Sequence, residues 1–311
     1  MARILAVTEY YNEAEYIPRL VENVAKQTSV PKLWLIIDDG STDNSTEVFI
    51  EYLKKHNIPY KHYQMPPKPF PDANLKGIAF QKVDILNNEW LDKDEFDYLI
   101  KIDADTQLPS HFIEVCTKVM DEFPEFGITA GRIRGELGHE TPMGTGKVVA
   151  WIVLKQSANR YWDLDPDSLW NYFAIANGYR MLIIEDLKID VVRPTVMIRS
   201  KGVYNYGRRM YYLNWGMTAA IFYSLVLLLR RDFPLQFLKG YLHEFRDRKW
   251  KLNDKELVKY YGFKNMFLRL VGKGPQRDRA LILKLGLESN EVEEESIVGS
   301  ALRSLRSQLQ D

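Results

Sequence analysis

Three short apolar runs, each stopped by acidic residues, constrain this chain more than any other feature. Ile4-Leu5-Ala6-Val7 gives way to Thr8-Glu9-Tyr10-Tyr11-Asn12-Glu13. Leu33-Trp34-Leu35-Ile36-Ile37 gives way to Asp38-Asp39-Gly40-Ser41, and Tyr98-Leu99-Ile100-Lys101-Ile102 to Asp103-Ala104-Asp105. Short runs bounded in this way suit strands buried on both faces. Between them, Ile17, Leu20, Val21 and Val24 recur at three- and four-residue steps, predicting a helix over 15–27. Further helices are predicted over 43–55, with Asp43 or Thr42 as cap, over 74–86 and over 110–122. Strands are predicted over 60–64 and 127–133, and the proline-rich 65–71 reads as a rigid loop. The alternation predicts an α/β fold with a mostly parallel sheet and helices on both faces.

Ligands of such sheets bind beyond the carboxyl ends of the strands. A solvated loop explains one acidic pair, but the pairs at 38–39 and 103–105 fall on the same predicted edge. Asp103 and Asp105, one residue apart, suit a hard divalent cation whose oxygen ligands bridge to phosphates. No Walker A or G-x-G-x-x-G motif occurs, so P-loop and dinucleotide-binding readings have no support.

The 311 residues are enough for one large or two modest domains. With 46% hydrophobic and 27% charged residues, wholesale disorder is excluded. The 42 cations balance 42 anions, which argues against a general nucleic-acid binder. A single cysteine, Cys116, excludes an intramolecular disulfide framework and fits a reducing compartment. The first residues carry too short an apolar run for a signal-peptide core and read as a strand.

The neutral total conceals a polarised distribution. Residues 1–229 are net acidic, 230–284 carry 15 cations against 6 anions, and 285–311 form an acidic tail, partly mobile, with a short helix over 296–311. The most apolar stretch is 213–229, diluted by Asn214, Thr218 and Ser224 and flanked by Arg208, Arg209, Arg230 and Arg231. Three readings of it stay open: a core or homodimer helix, an in-plane membrane helix, or a membrane span. In the basic region Phe233, Phe237, Tyr241 and Phe245 recur at helical steps. That pattern suits either an anionic lipid surface or a basic helical subdomain.

The stretch Thr8 to Glu13 resembles the first strand–loop of family 2 glycosyltransferases. Ile36-Ile37-Asp38-Asp39-Gly40-Ser41-Thr42-Asp43 is similar to that family's second-strand signature, and Ile102-Asp103-Ala104-Asp105 to its D-x-D motif. The resemblance covers about residues 1–210. It implies a GT-A fold, Rossmann-like with a mixed, mostly parallel sheet, for 1–210, a nucleotide-sugar donor, Mg2+ or Mn2+, and inverting transfer to a hydroxyl acceptor. The residues of 211–284, apolar and then basic, add the expectation of a helical region that contacts a membrane or a second copy, and with it a glycan or lipid-linked acceptor at the inner, cytoplasmic face of the cell membrane.

Carried over by position, Thr8, Glu9 and Tyr11 would line the base and ribose pocket. Asp39 would accept hydrogen bonds from the base or ribose, with Asp38 beside it. Asp103 would face the ribose or the metal, and Asp105 would bind the metal directly. Asn74 stands where relatives carry an Arg, and Lys76 is either the replacement cation for the diphosphate or a surface lysine. The catalytic base of relatives lies about eleven residues before a Gly-Tyr-Arg turn, and Gly178-Tyr179-Arg180 places it at Asp167. Pro166 replaces the usual preceding acid, so Asp165 competes for that role. Arg193 or its neighbours fall where some relatives place a third metal ligand, and none of the five histidines fits that role. Glu185-Asp186 is read as a hairpin turn. The proline and the altered Arg-Asn motif leave a second reading open, a glycosyltransferase-like binding or scaffold protein without activity.

Overall fold

A computed structural model describes residues 2–66, 84–135, 141–142, 144–157, 166–193, 199–247, 280–284 and 294–310, with single positions between 251 and 268. The chain divides into two compact units. The first holds Met1–Ala174, Gly178–Pro194 and Arg279–Asp311, and the second Ile175–Asn177 and Thr195–Asp278. The division therefore falls at 194/195 rather than at 210/211.

The first unit is built on strands β1 (Ile4–Tyr10), β2 (Leu33–Asp38), β3 (Tyr60–Gln64), β4 (Tyr98–Lys101), β5 (Thr106–Gln107), β6 (Phe126–Ile133), β7 (Lys147–Ala150), β8 (Arg180–Val191) and β9 (Leu281–Leu283). Their order is β3-β2-β1-β4-β7-β6-β8-β5, with β9 also against β8. Pairing is parallel among β3, β2, β1 and β4 and again for β6–β8 and β8–β9, while β7 and β5 run antiparallel to their neighbours. The sheet is thus mixed and α/β in class, as the alternation predicts. β5, β7 and β9 are too short to carry a periodic signal.

β1 is apolar on both faces because both are covered: Ile4 and Ala6 on one side and Leu5 and Val7 on the other are fully buried. The helix Ile17–Ala25 lays Ile17, Leu20, Val21 and Val24 into the core, where they join Trp34, Phe49 and Leu53. Trp34 meets Phe49 edge-on with ring centroids 5.4 Å apart. The helix over 43–55 begins two residues later than expected, at Ser45. Asp43 still accepts the Ser45 amide at 3.0 Å. Most of the helix expected over 74–86, together with Lys76, lies outside the described residues.

One expectation is corrected. Glu185-Asp186 forms no hairpin. Both residues lie inside the continuous β8, where its register against β6 shifts between Ala130 and Arg132. Arg132 holds Glu185 at 2.9 Å from the neighbouring strand, so the extra residues are absorbed as an irregularity. The short helix expected over 296–311 is present and begins two residues earlier. Residues Glu294–Gln310 form a helix whose Ile297, Ala301 and Leu305, spaced by four, join the same core. Arg306 pairs with Glu122 on the helix Phe112–Glu122.

The second unit contains the helices Arg199–Tyr212, Met217–Leu229 and Pro234–Arg246. The sequence Gly207-Arg208-Arg209 lies within the first of them. Gly207 and Gly240 mark the crossing of the first and third helices. A Cβ on Gly240 would stand 2.0 Å from the Tyr204 carbonyl oxygen, and one on Gly207 2.0 Å from that of Phe237. Fully buried Glu244 pairs with Arg208 and accepts the Tyr212 hydroxyl at 3.0 Å, which compensates its burial. Among the described residues no helix is long and apolar enough to cross a membrane, so the spanning reading of 213–229 is not supported.

Gly240→Ala is expected to lower stability by about 1–3 kcal/mol by forcing the crossing apart. Urea unfolding followed by circular dichroism checks this, and an unchanged midpoint would contradict the tight crossing.

Candidate functional site

Parallel pairing of β1 with both β2 and β4 sets their carboxyl ends side by side, with β3 beyond β2. The acidic residues that end those runs therefore meet on one edge. Asp38 shapes the turn after β2. One of its oxygens accepts the Ser41 amide at 2.7 Å and the other the Thr46 hydroxyl at 2.7 Å, and Thr46 is 2.9 Å from the Tyr10 hydroxyl. Burial pushes the Asp38 carboxyl up, but the bonds from Ser41 and Thr46 outweigh it and hold the group below the usual carboxylate value. Gly40 has φ 79°, a left-handed conformation that a side chain would strain.

Asp39 follows, buried, with its amide donating to the Tyr10 carbonyl at 2.9 Å. Asn12, left-handed at φ 54°, ties the loop after β1 to this turn. Its side-chain oxygen accepts the Thr42 amide at 2.7 Å, and its own amide donates to the Ser41 hydroxyl at 3.0 Å. The Glu13 amide donates to the Ser45 hydroxyl at 2.7 Å. The second-strand signature is thus a device that locks two loops together as well as a source of carboxylates.

β4 ends differently. The Ile102 amide still donates to the Val7 carbonyl at 3.0 Å, after which the chain turns. The Asp103 amide donates to the Thr145 hydroxyl at 2.9 Å, and its carboxylate accepts Lys101 Nζ at 2.6 Å. Asp103 is 45% exposed and Asp105 only 12%. Asp105 accepts from the Arg193 amide at 3.3 Å and from Arg193 Nε at 3.2 Å. The same guanidinium reaches Glu13 Oε1 at 2.5 Å and lies 5.0 Å from the Tyr16 ring centroid. Burial raises the Glu13 carboxyl above its usual value against the opposing pull of Arg193. Its other oxygen is buried with no hydrogen-bond partner among the described residues.

The edge therefore gathers Glu9, Tyr11, Asp38, Asp39, Asp103 and Asp105. Glu9 and Tyr11 are half-buried. Thr8 belongs to the interior: its hydroxyl donates to the Ile102 carbonyl at 2.7 Å and accepts Trp34 Nε1 at 3.0 Å. Asp167 stands in the first turn of the helix Pro166–Ala176, while Asp165 and Lys76 lie outside the described residues. Lys101 and Thr145 enter the site without a motif to announce them, and Glu13, the last residue of the first strand–loop stretch, has no role assigned from sequence. Lys101 is signalled only by being a charge inside an otherwise apolar strand. Lys147, almost wholly buried, faces Lys101 across the β4–β7 pairing.

Among the described residues no three His, Cys, Asp or Glu side chains are grouped to hold a metal ion. Asp103 and Asp105 nevertheless fit Mg2+ or Mn2+ of the kind that takes one or two carboxylates and completes its shell with phosphate oxygens and water. The uncompensated Glu13 oxygen adds negative character beside Asp105.

A mixed sheet of this order, with acidic loops on one edge and no glycine-rich phosphate loop, is that of a GT-A glycosyltransferase. The profile of glycosyl transferase family 2 matches residues 6–188, and the chain belongs to that family. A teichoic acid poly(glycerol phosphate) polymerase of Staphylococcus epidermidis is 26% identical over 113 residues, 36% of this chain and 14% of that protein. The chain thus matches only a small part of that curated relative's length. Among solved structures, mannosyltransferase PcManGT from Pyrobaculum calidifontis, in complex with GDP-Man and Mn2+, aligns with TM-score 0.52 and 13% identity over 96% of this chain and 79% of that one. S. aureus TarS aligns with TM-score 0.50 and 16% identity over 89% of this chain and 50% of that one. These two likenesses establish the shared fold.

The depressed Asp38 carboxyl has a pH consequence. Its stabilisation is present above its unfolded value near 3.8 and is lost as pH falls through the lower folded value. Urea midpoints of the wild-type protein are expected to fall more steeply below about pH 4 than those of Asp38→Asn. Parallel acid limbs would contradict the assignment.

Proposed function

We propose that this family member is an inverting transferase that moves a sugar from a nucleotide-sugar donor to a hydroxyl of a cell-envelope or lipid-linked glycan, using Mg2+ or Mn2+. The observation that carries the reading is the convergence of Asp39, after β2, and of Asp103 and Asp105, after β4, on the one carboxyl edge formed where both strands run parallel to β1 between them. Asp39 accepts hydrogen bonds from the base or ribose, with Glu9 and Tyr11 beside it. Asp105 and Asp103 hold the divalent cation, which when bound offsets the diphosphate charge and stabilises the leaving nucleoside diphosphate.

Inversion needs one carboxylate to take the acceptor hydroxyl proton as that oxygen attacks the anomeric carbon and the nucleoside diphosphate departs. We assign this to Asp167, with Asp165 as the alternative. The eleven-residue spacing from Asp167 to Gly178-Tyr179-Arg180 supports the assignment. The likeness of about a third of the chain to a teichoic acid polymerase supports an anionic cell-envelope acceptor.

The second unit supports a site of action at the inner face of the membrane. Ile221, Leu225, Leu228 and Leu229 are exposed on the helix Met217–Leu229, with Leu229 at 86%, and Phe233 and Leu235 continue the apolar surface. Arg230 and Arg231 stand between them. Aliphatic tips flanked by cations suit an anionic lipid surface that the helix lies on rather than crosses.

Donor hydrolysis over UDP-, GDP- and dTDP-sugars with Mn2+ tests the chemistry. Asp105→Ala is expected to lose about 100-fold or more of the activity, and Asp167→Asn to lose about 10²–10⁴ in transfer while still binding the nucleotide. Unchanged activity in Asp105→Ala would sink the metal role. For the membrane claim, the protein should pellet with phosphatidylglycerol liposomes at low salt, and Leu228→Glu/Leu229→Glu should remain in the supernatant. No pelleting of the wild-type protein would overturn it.

A further inference from the structure

Each acid of the Asp103–Asp105 pair already faces a cation of this chain. Lys101 neutralises Asp103 from within the same strand end. Arg193, just beyond β8, serves Asp105 and Glu13 at once. The two carboxylates it bridges are each only 12% exposed, whereas the Arg193 side chain is 54% exposed. The cation therefore covers two recessed acids from the solvent side, the side from which another cation would approach. With its guanidinium half-exposed, the ion pair is weaker than a fully buried one, so a divalent ion can displace it, at a cost taken from the ion's own affinity. The Arg193 amide, at 3.3 Å from the same Asp105 oxygen, would keep that carboxylate in place after the guanidinium has left.

Without any cation, Asp105 and Glu13 would stand as like charges with poor access to water, one of their oxygens already lacking a hydrogen-bond partner. A resident guanidinium prevents this, and it also denies the carboxylates to metal ions when no donor is present. We infer that Arg193 is a built-in counter-ion of Asp105 and Glu13 that a divalent cation must displace, so that the chain itself lowers the metal affinity of the donor-free site. Arg193 is a positioning residue in this role, acting on Asp105 rather than on the sugar. The inference rests on reading Asp105 as a cation ligand.

The test is Mn2+ binding followed by electron paramagnetic resonance of the free ion, with no sugar donor present. The wild-type protein, Arg193→Ala and Arg193→Lys are compared, each with and without Asp105→Ala. Arg193→Ala is expected to bind Mn2+ about 5- to 50-fold more tightly than wild type. Arg193→Lys should fall between the two, because an ammonium lacks the fork that spans both acids. The gain should vanish in the Asp105→Ala background. A merely structural Arg193 would give the opposite sign, with weaker Mn2+ binding and a lower melting temperature. If Arg193→Ala does not fold, Arg193→Gln, which keeps the first three side-chain carbons without the charge, carries the same expectation. Asp105-dependent Mn2+ binding in wild type that is not tightened by these variants overturns the inference alone. No Asp105-dependent binding in any variant, even with UDP added, overturns the metal reading and the inference with it.

Discussion

Everything at the functional edge depends on β1 lying between β2 and β4 in parallel. Parallel pairing fixes direction as well as proximity, so three separate strand ends open toward the same side. The Thr8 hydroxyl, shared between the Ile102 carbonyl and the Trp34 indole, fastens β1 to both neighbours inside the core. Water is absent there, so an unmade hydrogen bond would cost about 1–3 kcal/mol and the arrangement resists slippage. A shift of one residue would turn every side chain to the opposite face and scatter the carboxylates.

The carboxylates divide their labour according to solvent. Asp38 uses both oxygens to hold its own turn. Asp103 and Asp105 are answered by basic side chains, which a ligand's own cation can replace. The difference lies in the kind of partner: amide and hydroxyl bonds inside a turn are part of the fold, whereas charge pairs at its rim are exchangeable. A signature with two adjacent aspartates therefore contains one architectural acid, Asp38, and one candidate ligand-facing acid, Asp39.

Much of this was legible in the sequence where periodicity and burial coincide. β1, β2 and the stripe Ile17, Leu20, Val21 and Val24 are apolar because they are buried, and their spacing says so. The acids after Ile37 and Ile102 mark strand ends because a carboxylate cannot continue an apolar interior. Elements whose role is set by distant partners were not legible. β7 pairs antiparallel between β4 and β6, yet its four residues carry no period. Glu185 looks like turn chemistry until Arg132 on the next strand is known to hold it. The helix over 296–311 is expected from the sequence, but that its Ile297, Ala301 and Leu305 close the core is not, and Arg193 gains its meaning only from Glu13, far away in the chain.

β8 and β9 are adjacent and parallel, and parallel neighbours can be joined only by a crossover that leaves the sheet and returns. Here that crossover contains nearly the whole second unit, inserted between Pro194 and Arg279. The catalytic sheet is consequently discontinuous in sequence, and its final strand and covering helix are supplied after the excursion. Such a layout lets the intervening helices change without redrawing the sheet or its carboxyl edge. A truncation placed inside that excursion would instead remove β9 and the helix Glu294–Gln310, opening the core behind β8 and the helix Phe112–Glu122. What looks like a C-terminal appendage is enclosed on both sides by the catalytic fold.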